Sequence, residues 1–306
     1  MKTRLCFITN DVETTSVANH CLSDETGRYV LEQGMPRLLD LYDCYGVRAT
    51  FFFTGHIAHL YPQIVRMAQQ RGHEVGSHGL THEVSKAFDV MSRDEQLAHL
   101  KKSKQILEDI TGTPVVSFRA PAARVPKGFP SVLQEAGFLI DSSVSSQRLD
   151  MFFSFGSLNK LHWLGAPRMA YRTAADNIFH RGDDGIIELP ISAFGLPYIG
   201  TFMRIAPLLN RMNRRILYAE TLATGRQFVF LTHPNEFIDE PRNNKPIERR
   251  AKNPFAYFMG DVVRHALKVN NLGAKALPLM EHELQFFNNH NFQYLTCSEI
   301  LNQSPK

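Results

Sequence analysis

The stretch GHEVGSHGLTHE, residues 72–83, holds three histidines, and two of them, His78 and His82, stand four positions apart. On a helix, positions i and i+4 share one face, so both imidazoles can reach one point. A divalent cation is the usual reason for such an arrangement. Two histidines four apart also arise by chance, as caps or as surface groups, so the spacing gains meaning only if a carboxylate joins it. Asp11 and Glu13, in NDVE (10–13), supply carboxylates. Three further groups could do chemistry: Arg119 in RAP (119–121), Asp141 in DSS (141–143) and His233 in LTH (231–233).

These residues sit at the ends of short apolar runs. LCFIT (5–9) reads as a buried strand that stops at Asn10-Asp11. RATFFFTG (48–55), HEVGSH (73–78), VVSFRAP (115–121), LIDSSVS (139–145), GIIELPIS (185–192) and QFVFLTHP (227–234) read as further strands. FQYLTCSEIL (292–301) reads as a final strand and turn. Between them lie helical patterns at 34–47, 61–73, 92–112, 129–138, 202–225 and 277–290; Ser92 is placed to cap the third, and Pro207 interrupts the fifth. Such alternation implies parallel strands and βα units, whose carboxyl ends converge on one face. Singly, Asp11 could cap a turn, Arg119 could be a surface group and His233 a satisfied core histidine. Five polar strand ends on one face are harder to explain that way.

The chain has 306 residues, 43% hydrophobic and 21% charged, within the range of a soluble globular protein. One α/β domain over 1–306 is expected, with core segments 5–145 and 185–300, a variable insert near 146–184 and a basic surface loop at 238–254. No apolar run is long enough for a membrane span, and LCFI is too short for a signal-peptide core, so a cytoplasmic location is expected. The four cysteines lack C-x-x-C spacing; Cys6 and Cys44 read as buried, reduced thiols. A net charge of +4 gives no case for nucleic acid as a partner.

In order, NDVE, SHGLTH (77–82), RAP, DSS and LTH resemble the five motifs of the polysaccharide deacetylases, carbohydrate esterase family four. GVRATFFFTG and AQQRGHEVGSHGLTH resemble the family closely; residues 3–145 do so well and 185–300 loosely. The resemblance implies a distorted or incomplete (β/α) barrel and a metal-dependent amide hydrolase that removes an N-acyl group from an amino sugar. Two departures stand out. Asn10 occupies the first place of the family's common Asp-Asp pair, so that Asp11 and Glu13 form a D-x-acid motif similar to that of intracellular deacetylases and deformylases of lipid-linked amino sugars. Ala122 stands where a tyrosine often follows the proline.

The resemblance implies that His78, His82 and an acid, Asp11 or Glu13, hold the metal: zinc first, or cobalt, nickel, manganese or iron, all of which suit mixed N/O ligands. Asp11 would serve as general base, held by Arg119, and His233 as general acid, with Asp141 orienting the histidine. Pro121 and His56 would border the substrate, although His56, with His59, could equally be a surface or packing group. His73 reads as structural. The expected substrate is an amino sugar on a lipid or nucleotide carrier. Alternatives are a deformylase of an undecaprenyl-phosphate-linked amino sugar, a carbohydrate-binding relic without catalysis, and a purely structural metal site. The segment MRIAPLLNRMNRRILY (203–218), with Arg204, Arg211, Arg214 and Arg215, and the loop with Lys245, Arg249 and Arg250 suggest peripheral contact with the inner face of an anionic membrane. A core-packed helix with solvated arginines is the competing explanation.

Overall fold

The structure, a computed structural model, describes residues 3–149, 158–242 and 264–303. Its sheet is built from β1 (Arg4–Val12), β2 (Ala49–Phe53), β3 (Glu74–Ser77), β4 (Ser117–Phe118), β5 (Ile140–Asp141), β6 (Tyr171–Ala174), β7 (Asn177–Arg181), β8 (Ile187–Glu188), β9 (Phe228–Thr232) and β10 (Phe292–Tyr294). The order is β9-β1-β2-β3-β4-β5-β8-β6-β7, with β10 pairing the start of β1. From β9 to β8 every pairing is parallel. The chain beyond β8 returns toward β9, where Ser192 N–H donates to the Val229 carbonyl at 3.0 Å. The result is the curled, incomplete α/β barrel that the resemblance implies.

β1 and β2 are buried on both faces, as parallel strands covered by helices must be. The covering helices are α1 (Met35–Tyr45), α2 (Gly55–Leu60), α3 (Pro62–Gln70), α4 (Arg93–Thr111), α5 (Phe129–Glu135), α6 (Gly200–Ile205), α7 (Pro207–Thr224) and α8 (Leu277–Asn289). Ser92 starts α4 with a full capping box to Glu95. α1 is the end of a longer helical run that starts at Asp24 and passes through a π-turn at Val30–Gly34. A Cβ on Gly34 would lie 2.4 Å from the Pro234 carbonyl oxygen, so only glycine lets this helix press against the turn that follows His233.

Several expectations need correction. Residues 78–83 are an irregular loop, not a helix. The segment 146–184 contains the antiparallel hairpin β6–β7. Cys44 is exposed, whereas Cys6 is buried as expected. Arg204 and Arg214 are buried in ion pairs with Glu236 at 3.0 Å and Glu283 at 2.9 Å, so neither can face a membrane. Arg211 and Arg215 are exposed. Lys245, Arg249 and Arg250 lie outside the described residues. None of the described helices is long and apolar enough to cross a membrane.

Candidate active site

β1 delivers two acids to one side. Side chains alternate along a strand, so Thr9, Asp11 and Glu13 point one way as the chain leaves the sheet. Asn10 points the other way, where its Oδ1 accepts a hydrogen bond from the Tyr42 hydroxyl at 2.8 Å. The departure at Asn10 therefore falls in the helix layer, and both acids of the D-x-E spacing share the face where the parallel strands end.

The two histidines arrive by a loop. His78 follows β3 directly, and its N–H donates to the Phe53 carbonyl at 2.8 Å. Gly79 turns the chain with φ +71°, a conformation most side chains avoid. The Gly79 and Leu80 carbonyls then accept from Gly55 and His56 N–H, each at 2.8 Å. This fold-back, not a helical turn, places the two imidazoles 5.8 Å apart between ring centroids.

Glu13, His78 and His82 each offer one ligand atom, and these atoms all lie within 4.8 Å of one another. His78 Nδ1 lies 2.8 Å from the Arg119 carbonyl oxygen. A carbonyl can only accept, so the hydrogen sits on Nδ1 and the Nε2 lone pair faces the cluster. Glu13 Oε2 is buried 2.9 Å from His82 Nε2 but without hydrogen-bond geometry. An oxygen left without a donor beside two imidazole nitrogens fits a cation better than a closed hydrogen-bond network. Burial alone would raise the Glu13 carboxyl, but the His82 imidazole, followed by His233 and His78, holds it down at about 2. Burial pushes His78 below its usual range against the pull of Asp11 and Glu13. His82 is raised, because the Glu13 carboxylate outweighs its burial.

Asp11, the other acid expected as a possible ligand, has a different setting. Its Oδ1 accepts from Arg119 Nη1 at 3.0 Å, and its Oδ2 lies 3.8 Å from His78 Nε2 and 4.0 Å from His233 Nε2. It therefore lies near both the ligand cluster and His233, which stands at the exit of β9. Arg119 is 1% exposed, and each of its guanidinium nitrogens has a partner. Nη1 also donates to Thr9 Oγ1 at 2.8 Å, Nε to the Ser142 carbonyl and Nη2 to Ser142 Oγ, both at 2.7 Å. The guanidinium lies over the Phe52 ring at 4.5 Å. A planar fork held at this many points aims one N–H at Asp11 with little freedom.

The remaining expectations divide. Asp141 is buried among Ser143 and Glu188, not beside a histidine, because β5 ends where Arg119 and its serine partners lie. Pro121 is buried and opens a short turn in which Ala122 and Ala123 take φ +53° and +52°. Non-glycine residues rarely adopt that conformation, and it is often found beside functional sites. His56 is partly exposed, and its Nε2 pairs with Asp24 at 2.7 Å, while its backbone holds Leu80. His73 is buried and accepts from Ala49 N–H at 3.1 Å, as a structural residue would. Thr9 and Ser142 went unrecognised in the sequence; the only trace of them is a hydroxyl two positions before Asp11 and a run of serines in a buried strand.

Residues 23–140 match the family model described as polysaccharide deacetylase. That span includes His78, His82 and Arg119 but neither β1 acid nor His233. The peptidoglycan deacetylase of Helicobacter pylori is 32% identical over 118 residues, 39% of this chain and 39% of that protein. The peptidoglycan deacetylase-like protein FGM2 of Gibberella zeae is 30% identical over 139 residues, 44% of this chain and 40% of that one. The chain thus aligns with well under half the length of these relatives. A probable polysaccharide deacetylase from Pseudomonas aeruginosa shares the fold with TM-score 0.55 and 16% identity, over 97% of this chain and 90% of that one. So does a 4-alpha-glucanotransferase from Thermococcus litoralis, with TM-score 0.59 and 14% identity, over 99% of this chain and 41% of that one. Likeness of fold therefore leaves the reaction to the site's own chemistry.

Proposed function

We propose that this relative of the polysaccharide deacetylases is a metal-dependent hydrolase that removes an N-acyl group, acetyl first, from an amino sugar. One observation carries this: an ligand group of Glu13, His78 and His82 stands beside a carboxylate, Asp11, that an immobilised arginine keeps apart from it. Amide hydrolysis needs both an activated water and a base to take its proton. A divalent ion held by Glu13, His78 and His82 would supply Lewis acidity, polarising the acyl oxygen and making water more acidic.

The chain's own residues supply the rest. Asp11 Oδ2 is the free base position, because Arg119 occupies Oδ1. It accepts one proton from water as the water oxygen bonds to the acyl carbon. His233, whose Nε2 lies 4.0 Å from Asp11 Oδ2, gives a proton to the sugar nitrogen as the carbon–nitrogen bond breaks. The products are a carboxylic acid and an amine, and water is the only co-reactant. Asp141 acts on this machinery through the turn that holds Arg119, and Pro121 and the loop beside His56 border the mouth.

The substrate we favour is a precursor amino sugar on a lipid or nucleotide carrier in the cytoplasm, with a formyl group as the alternative acyl. Peripheral membrane contact belongs to the same proposal. It rests on Arg211 and Arg215 beside the exposed Leu208, Met212, Ile216 and Leu222 of α7. Mass spectrometry of N-acyl amino sugars, free, nucleotide-linked and polyprenyl-phosphate-linked, after incubation with the metal-loaded protein tests the reading. Loss of an acyl mass from one class supports it; intact substrates throughout oppose it.

A further inference from the structure

Asp141 lies opposite Glu188 in the register of β5 and β8. Both side chains are fully buried, and each carboxyl group lies close enough to act on the other. The protein supplies the two acids unequally. Asp141 Oδ1 accepts from Ser143 Oγ at 2.6 Å, and its Oδ2 from Ser143 N–H at 3.3 Å. Glu188 Oε1 accepts from Val144 N–H at 3.0 Å, while its Oε2 is buried and meets no donor. Two ionised carboxylates so deeply buried repel strongly, so one keeps its proton. More donors point at Asp141, which places the negative charge there and the proton on Glu188. Burial raises Glu188 well above the usual carboxylate range, and the facing Asp141 adds to it. The charged and titratable neighbours are Arg119, which opposes the rise, and Tyr171.

The pair touches the site through one short turn. Ser143 Oγ, held by Asp141, accepts from Ala120 N–H at 2.9 Å, directly after Arg119. Ser142, between the two anchors, takes Arg119 Nε and Nη2 and passes its own hydrogen to the Leu189 carbonyl, next to Glu188, at 2.7 Å. We propose that Glu188 is a positioning residue: as a neutral acid it donates to Asp141 and so fixes the 141–143 turn that grips Arg119. The role in turnover rests on the deacylase reading; the shared proton does not.

Two variants separate these. Glu188→Gln keeps a neutral donor, whereas Glu188→Leu removes it. The glutamine variant should retain most of the wild-type kcat, and the leucine variant should lose about 10–100-fold in kcat with little change in KM, as for other residues that hold a catalytic group in place. Independently, the infrared difference spectrum of wild type minus Glu188→Gln at neutral pH should show one protonated carboxyl band, with no substrate or metal needed. A band without any wild-type turnover would count against the deacylase reading alone. Absence of the band, or glutamine as damaging as leucine, would overturn the role of Glu188. Should the leucine variant fail to fold, the infrared comparison still decides.

Discussion

Arg119 Nη1 donates to Asp11 Oδ1 at 3.0 Å, with the arginine side chain 1% and the aspartate 6% exposed. A buried ion pair is kept only where its remaining hydrogen bonds are met, and here Thr9 and Ser142 meet those of the arginine. The pair gives Asp11 a partner that Glu13 lacks, although both leave the same strand on the same side.

Removing one partner should be more harmful than altering its chemistry. Asp11→Ala leaves a buried guanidinium without its counter-charge and should cost about 3–5 kcal/mol in stability. Asp11→Asn keeps the shape and should fold, yet lose about 10²–10⁴-fold in turnover without its base. Urea unfolding of both variants beside activity measurements checks this; equal stability of Asp11→Ala and wild type would contradict the pairing.

Metal content should follow the ligand geometry. Glu13→Ala and the His78→Ala, His82→Ala double variant should each lose the ion, while Asp11→Asn retains it. Elemental analysis of purified variants reads this directly. Full occupancy without Glu13, or loss with Asp11→Asn, would reverse the division between the acids. If chelation unfolds the wild type, the ion is structural and not merely catalytic.

His233→Ala should lower turnover by about 10²–10⁴-fold and leave the fold intact, because the side chain stands at the strand exit and is 23% exposed. Near-normal turnover across the pH range would remove it as the acid.

A second histidine makes a prediction about pH and stability. Burial holds His73 down at about 4, against the pull of Asp43, while the unfolded chain has the ordinary value near 6.5. Between these values the unfolded state binds more protons, so the His73 contribution is full above about pH 6.5 and is lost as pH falls toward about 4. Denaturation midpoints for wild type and His73→Gln should converge as pH drops through that window. A gap that stays constant would contradict the buried, neutral state.

For the membrane proposal, wild type should co-sediment with anionic vesicles at low salt, and Arg211→Ala with Arg215→Ala should weaken this by about 1 kcal/mol per charge. High salt should weaken it as well. No sedimentation at low salt would favour a nucleotide-linked substrate.

Much of the site was legible because strand ends punctuate the sequence. His78, Arg119 and His233 each follow an apolar run, and parallel topology forces those exits together. The H-x-x-x-H spacing pointed to two histidines that do converge, but through the wrong geometry: Gly79 folds the loop back where a helix was expected. Which acid joins the histidines was not legible, since Asp11 and Glu13 differ only in what reaches them from β4 and from the loop after β3. Glu188 looked like one polar residue in an apolar strand, and its partner lies 47 positions away. The arginines of 203–218 misled for a related reason. Helical spacing fixes the faces of α6 and α7, but Arg204 and Arg214 find Glu236 and Glu283 on other elements.

The most direct test of the central claim combines product and metal in one assay. Metal-free protein is loaded with one equivalent of zinc, incubated with N-acyl amino sugars in free, nucleotide-linked and lipid-linked form, and the products are weighed by mass spectrometry beside Glu13→Ala and Asp11→Asn. The site geometry predicts acyl loss from one substrate class by the wild type, none by Glu13→Ala because it holds no zinc, and almost none by Asp11→Asn although it does. Turnover by zinc-free Glu13→Ala equal to that of the wild type would contradict it.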